Sequence, residues 1–128
     1  MNKPLIFLMF ILVSTSAMAE WTKVNRAESF NLYVDFDSIY KDGNRVKIWF
    51  LNDFFIRKEG GELSTKFLVE IDCKDKTSRP ISGPIFSSNM GSGYVIRSSN
   101  SSAQEWGSVV PGTVIETLWE AACGKNEK

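Results

Sequence analysis

The sequence predicts an α+β domain: a single antiparallel sheet of about six strands, with a C-terminal helix packed on one face and tethered by a disulfide. Three observations support this prediction. Several segments alternate apolar and polar residues with the period of half-buried strands. The segment 111–124 has the period of an amphipathic helix. The two cysteines, Cys73 and Cys123, fall at the end of the clearest strand and inside that helix.

The predicted strands alternate regularly enough to be placed one by one. The clearest is 64–73, and 45–56 is the longest. The remaining strand predictions are 20–26 (weak, at an edge), 30–36, 79–87 and 94–97.

Turn residues separate these segments. Asp42-Gly43 is a hairpin signal, and Asp37 is expected to cap one helical turn. Pro80 and Pro84 cannot donate to a sheet, so an irregularity or bulge is expected within 79–87. The run 98–102 is rich in serine and is expected to be flexible.

The predicted helix begins near Pro111, is capped by Ser108 and ends at Gly124. Its apolar stripe is expected to cover part of the strand 64–73. The stripe consists of Ile115, Leu118, Trp119 and Ala122, and the residues it would cover are Phe67, Val69 and Ile71.

The N-terminal residues have the composition of an export signal. An apolar run at 5–13 precedes the small-x-small site Ala17-Met18-Ala19. We therefore expect residues 1–19 to be removed between Ala19 and Glu20, leaving 20–128 as one domain. The run is shorter than the roughly 20 residues of a membrane span, so we expect no stable membrane insertion after cleavage. A retained signal anchor is the alternative.

Two cysteines in an exported chain indicate a disulfide, because compartments outside the cytoplasm are oxidising. The one available intrachain pairing is Cys73 with Cys123. It closes a loop of about 50 residues and contributes about 4 kcal/mol in the chain-entropy model. Two free thiols or an intermolecular bridge are the alternatives.

Residue types that carry out catalysis are scarce. The chain has no histidine, which removes the commonest general base and a common metal ligand. Paired carboxylates of a hydrolase are conceivable, yet each aspartate concerned is better explained as a turn, cap or solvated strand residue. We therefore expect no enzyme activity, no cofactor and no metal. The aspartates are Asp35, Asp37, Asp53 and Asp72.

The remaining candidate is a binding surface. Positive and negative residues are interspersed along the chain, so no basic stripe predicts nucleic-acid binding. Trp49 and Leu51 lie on the face of strand 45–56 opposite Ile48. Either a loop or the N-terminal strand covers them, or they contact a protein partner or a second subunit.

Residues throughout 20–128 resemble the surface-adhesin protein E family of Gram-negative envelope proteins. The order and spacing of these residues carry the resemblance. They are Trp21, Tyr33-Val34-Asp35, Ser38-Ile39, Val46-Lys47-Ile48-Trp49, Glu70-Ile71-Asp72-Cys73, Arg79, Trp106, Pro111-Gly112-Thr113 and the helix to Cys123.

The resemblance implies six antiparallel strands with a C-terminal helix held to the concave face by the disulfide. It also implies a host-ligand adhesin that binds matrix and serum proteins such as vitronectin, laminin and plasminogen, as a monomer or homodimer. Ligand contacts are expected around 74–100. Because no cysteine follows the cleavage site for lipidation, a soluble periplasmic envelope-maintenance or structural protein is the alternative. The expected location is the periplasm or the cell surface.

Overall fold

The computed structural model describes residues 20–100 and 105–124. The predicted signal segment 1–19, including Ala19, lies outside the described residues, so its cleavage stays a prediction. The described part contains eight strands, one α-helix and two short 3-10 turns at Phe36–Ser38 and Asn89–Gly91. The strands are β1 Thr22–Arg26, β2 Phe30–Val34, β3 Tyr40–Asp42, β4 Arg45–Phe54, β5 Ser64–Asp72, β6 Thr77–Phe86, β7 Val95–Asn100 and β8 Gly107–Ser108, and the helix is α1 Val114–Cys123.

All strand pairs described are antiparallel, and they form one sheet. Six strands follow the order β1-β2-β4-β5-β6-β7, while the short β3 pairs with β4 and the two-residue β8 pairs with β6. This architecture confirms the predicted α+β class. The weak N-terminal strand lies at the edge, as expected.

The core lies between one face of the sheet and helix α1. Alternate residues of β2, β4 and β5 point to this face, as their period of two predicts, and Leu118 of the helix is 0% exposed. The helix packs mainly on β2 and β4. The buried members of this cluster are Leu32, Val34, Val46, Ile48, Val69, Ile71, Leu118 and Ala122.

One predicted contact of the helix is wrong. Val69 and Ile71 do lie in the core beneath it, but the ring of Phe67 packs against Phe50, with ring centroids 6.0 Å apart. The helix crosses the sheet over β2 and β4, whereas the prediction placed it over β5. Sequence periodicity identifies the buried face of a strand but not where along the sheet a helix crosses it.

The helix ends as predicted and begins later than predicted. Gly124 adopts a left-handed φ of 67°, which glycine tolerates because it has no Cβ. The N-cap is Thr113, and Ser108 lies instead in β8, paired with Thr77. Pairing with β6 holds Ser108 away from the helix, so the predicted cap is wrong.

The Cys73–Cys123 disulfide is present, with its Cα atoms 5.6 Å apart. Cys73 follows the last residue of β5, and Cys123 is the last residue of α1. The bond therefore joins the C-terminal ends of these two elements, as the sequence predicts.

Local turn chemistry departs from prediction at two points. Asp35, not Asp37, caps the first 3-10 turn: its carboxylate accepts the N–H of Asp37 at 3.1 Å. The last strand is predicted to end at 97, whereas β7 continues to Asn100 and includes the first serine-rich residues, and 101–104 lie outside the described residues. The predicted irregularity of β6 is present as a register shift opposite Leu68 and Val69.

Candidate binding surfaces

The sheet face opposite the helix carries Trp49, as predicted. Trp49 is half-buried, and it lies directly across from Leu68 of β5. Leu51 is on the same face but is 0% exposed, because the 89–91 turn covers it: a Cβ on Gly91 would lie 3.3 Å from its side chain. Leu51 is therefore no surface residue, which corrects that part of the prediction.

A lysine contacts two tryptophan rings on this face. Lys66 Nζ lies 4.8 Å from the centroid of Trp49 and 5.8 Å from that of Trp21. Both distances are within the range of cation–π attraction. Trp21 and Trp49 are therefore linked by their common contact with Lys66.

A second cation–aromatic group occupies the far end of the same face. The guanidinium carbons of Arg45 and Arg79 lie 5.1 and 4.7 Å from the centroid of Trp106. Arg79 also donates to the buried carboxylate of Glu70, through Nε at 2.9 Å and Nη2 at 2.8 Å. We call the set Trp21, Arg45, Lys47, Trp49, Lys66, Arg79 and Trp106 the basic aromatic face.

One end of the sheet exposes apolar side chains. Here β4 and β6 end and β7 begins, and the connecting turns come together. Ile56 is 81% exposed and Tyr94 is 71% exposed, which is unusual for large apolar residues in one region. We call this set the apolar loop end: Phe55, Ile56, Met90, Tyr94 and Val95.

Hydrogen bonds hold the backbone of the apolar loop end. Arg57 donates through Nη1 to the carbonyl oxygens of Gly61 and Ser87, both at 2.7 Å. The Asp53 carboxylate accepts the N–H of Met90 at 2.8 Å. These bonds connect the turn after β4 to the turn after β6, so the exposed side chains project from a fixed backbone.

Two clefts flank Ile56. One, of about 310 Å³, is also lined by Glu28 and Phe55. The other, of about 530 Å³, is also lined by Glu62 and Arg97, which form an ion pair at 3.0 Å. Lys58 lines both clefts. Neither cleft contains two facing aspartates.

Three of the four aspartates considered for catalysis, Asp35, Asp53 and Asp72, have carboxylates that accept local hydrogen bonds. Asp53 accepts the amide of Asn89 at 2.9 Å, and Asp72 accepts the backbone N–H groups of Lys74 and Asp75 at 3.0 and 2.9 Å. Within 20–100 and 105–124, no group of three or more histidine, cysteine or acidic side chains is arranged to hold a metal ion. None of the helices formed by these same residues has the length and apolar character needed to cross a membrane.

Residues 21–124 match the family described as surface-adhesin protein E. The chain therefore belongs to the surface-adhesin protein E family, which confirms the resemblance found in the sequence. No curated protein matches the chain.

Solved structures of Haemophilus influenzae protein E share this fold. The selenomethionine form has a TM-score of 0.55 at 13% identity, with 84% of this chain and 95% of that chain covered. A second crystal form gives 0.53 at 14% identity, with 80% and 95% covered. Protein E from the non-typeable organism gives 0.52 at 14% identity, with 83% and 76% covered. At such identity the likeness concerns the fold alone.

Of the two candidate binding surfaces, the sequence predicted Trp49 and the segment 74–100, which contains Met90, Tyr94 and Val95. Phe55 and Ile56 were missed, although a signal exists: Phe54-Phe55-Ile56 places three large apolar residues side by side at the end of β4. Successive residues of a strand face opposite ways, so three consecutive large apolar residues place at least one on the face away from the other two.

Proposed function

We propose that this protein is an exported, non-catalytic protein-binding module that acts as an adhesin and contacts its protein ligand through the apolar loop end. Membership of a surface-adhesin family supports the class of function. The observation that supports the site is Ile56, an aliphatic side chain 81% exposed on a hydrogen-bonded turn.

Exposure on a fixed backbone favours binding for a physical reason. A backbone that is already held by hydrogen bonds loses little conformational entropy when a partner covers it. The turn carrying Ile56 is closed by the Lys58 N–H bond to the Glu62 carbonyl at 2.9 Å and by Arg57. Flanking clefts would receive side chains of the partner, while Lys58 and Arg97 form a charged rim.

The region also agrees with the segment 74–100 expected to hold ligand contacts. Met90, Tyr94 and Val95 belong to that segment, and each is exposed. Phe55 and Ile56 come from β4 and the following turn, so the proposed surface extends beyond the segment.

Ile56→Asp tests the proposal directly. We expect the purified exported protein carrying Ile56→Asp to bind immobilised matrix and serum proteins about tenfold or more weakly than wild type, the loss typical of a central apolar contact. Val110→Asp is the matched control, since Val110 is also exposed, at 54%, and precedes the helix. Equal binding by the two variants would remove the apolar loop end from the proposal.

Protease shaving of intact cells distinguishes an adhesin from the alternative. A displayed adhesin is cleaved, whereas a periplasmic envelope-maintenance protein is protected. Protection in intact cells together with cleavage after outer-membrane permeabilisation would replace the adhesin proposal with the periplasmic one.

A further inference from the structure

The basic aromatic face brings together cations that are scattered in the sequence. Arg45 and Lys47 are alternate residues of β4, so both point to the face opposite the helix, about 7 Å apart along the strand. Lys66 and Arg79 join them from β5 and β6. The sheet thus presents four cations on a chain whose formal net charge is zero.

Three acidic residues share this face: Asp42 and Asp72 lie directly across from Arg45, and Glu70 lies directly across from Lys47. The Glu70 carboxylate is 7% exposed and paired with Arg79, and Asp72 accepts two backbone N–H groups. Among the described residues, Arg45, Lys47 and Lys66 take part in no ion pair. The four cations exceed these three carboxylates by one, and the three cations outside ion pairs remain available to anionic groups of a ligand.

Aromatic rings hold several of these cations in place. Lys66 lies between the rings of Trp21 and Trp49, and Trp106 receives both arginines. A cation–π contact orients the cation without neutralising it. The three indole rings are half-buried, so each retains some surface for a ligand.

We propose that the basic aromatic face binds a linear anionic polysaccharide, sulfated or carboxylated. Such a polysaccharide carries negative charges at intervals along an extended chain, and the cations of this face are likewise spaced across β4, β5 and β6. The apolar faces of its sugar rings can pack on the indole rings. This occupant is favoured over an acidic peptide because extended peptides typically pair with a sheet edge, and this surface is a sheet face. Single-stranded nucleic acid uses similar chemistry, but the predicted export signal argues against it.

This site is separate from the apolar loop end. Trp49 and Ile56 are seven residues apart along β4 and the turn that follows it, and the buried Leu51 lies between them. Polysaccharide binding therefore adds a second ligand and does not depend on the proposed protein contact. Ile56→Asp is expected to leave it unchanged.

Binding of heparin fragments and hyaluronate to the purified exported protein tests the proposal, with tryptophan fluorescence as the readout. We expect saturable binding to at least one of them that weakens as salt concentration rises. Lys47→Glu should reduce the affinity about tenfold, because it replaces an exposed attractive charge with a repulsive one. Lys41→Glu makes the same charge change next to Val46, on the helix side of the sheet, and should change affinity by less than about twofold.

Three outcomes overturn the proposal. The first is no binding of either polysaccharide at low salt. The second is an equal effect of Lys47→Glu and Lys41→Glu, which would show that only net charge matters. The third is equal or tighter binding of polyglutamate or of a thymidine oligonucleotide, which would assign the face to an acidic peptide or to nucleic acid.

Discussion

The ammonium nitrogen of Lys76 lies 4.6 Å from the centroid of the Trp119 ring, so the turn after Cys73 contacts helix α1 one turn before Cys123. The carbonyl of Lys76 also accepts the N–H of Val109 at 3.0 Å, in the segment that leads to the helix. The β5–β6 turn therefore holds the helix by a covalent bond, a ring contact and a backbone hydrogen bond. Only the covalent bond survives unfolding, so it alone restricts the unfolded chain.

Replacing both cysteines with alanine should destabilise the domain by about 2–5 kcal/mol, the range seen when small secreted domains lose a native disulfide. The double variant Cys73→Ala/Cys123→Ala avoids a free thiol that could form dimers. Urea denaturation measures the loss as a lower midpoint. Wild-type protein treated with a reductant is the control, and its urea midpoint should fall to a similar value. If the midpoints of the double variant and of the reduced protein both equal that of untreated wild type, the disulfide does not stabilise the domain.

Leu118→Ala should cost about 2–5 kcal/mol, because it removes three side-chain carbons from a fully buried site and leaves a cavity. Leu118 is 0% exposed and belongs to the core cluster under the helix. Thermal or urea unfolding followed by circular dichroism gives the change in the free energy of unfolding.

The matched control for Leu118→Ala is Val110→Ala, which shortens an exposed aliphatic residue. Val110 is 54% exposed, so its substitution should change stability by no more than about 0.5 kcal/mol. Similar losses for the two variants would contradict the position of Leu118 in the core.

Features set by local pattern could be predicted from the sequence. The period of two in β4 and β5 identified Ile48, Val69 and Ile71 as core residues, and all three are buried. The disulfide followed from there being one intrachain pairing. The family resemblance predicted the same sheet with a disulfide-tethered helix, and the match of residues 21–124 confirms membership of that family.

Features set by tertiary contact could not be predicted in the same way. Leu51 alternates like a surface residue, but the 89–91 turn, almost 40 positions away in sequence, buries it. The contact of Lys66 with Trp49 depends on the register of two strands, which alternation leaves free to shift by two residues. Ser108 was assigned as a cap from its residue type alone, whereas pairing with Thr77 decides its place.

Gly83→Ala should destabilise the domain by about 1–3 kcal/mol or more, the cost typical of overpacking. An added Cβ would overlap the backbone carbonyl of Lys66 and approach the ring of Phe67 to 2.6 Å. The carbonyl belongs to the neighbouring strand and cannot move away without disturbing the sheet. Urea denaturation of the purified variant measures the effect.

Gly107→Ala is the matched control, because a Cβ at Gly107 meets nothing within 4 Å. It should leave the midpoint within about 0.5 kcal/mol of wild type or raise it slightly, since alanine restricts the unfolded chain. Equal losses at the two positions would mean that the crowding around Gly83 is not the cause.

Glu70→Gln should cost about 1–3 kcal/mol, because it weakens charge-assisted hydrogen bonds to Arg79 in a site where the carboxyl residue is 7% exposed. Because the partner at position 70 would then hold Arg79 less strongly, Arg79 should also shift its position over Trp106, which would change the tryptophan emission. Unfolding and fluorescence measured on the same sample report the two effects.

Glu62→Gln provides the comparison, since Glu62 pairs with Arg97 at a similar distance and is nearly as buried as Glu70, at 13% against 10%, while its arginine partner is more exposed. The Arg97 side chain is 51% exposed, against 35% for Arg79. Water can replace the lost contact to Arg97, so this change should cost less than Glu70→Gln, at about 0–1 kcal/mol, and leave the tryptophan emission unchanged. If the Glu62 variant lost as much stability as the Glu70 variant, the lower exposure of Arg79 would not be what strengthens its pair with Glu70.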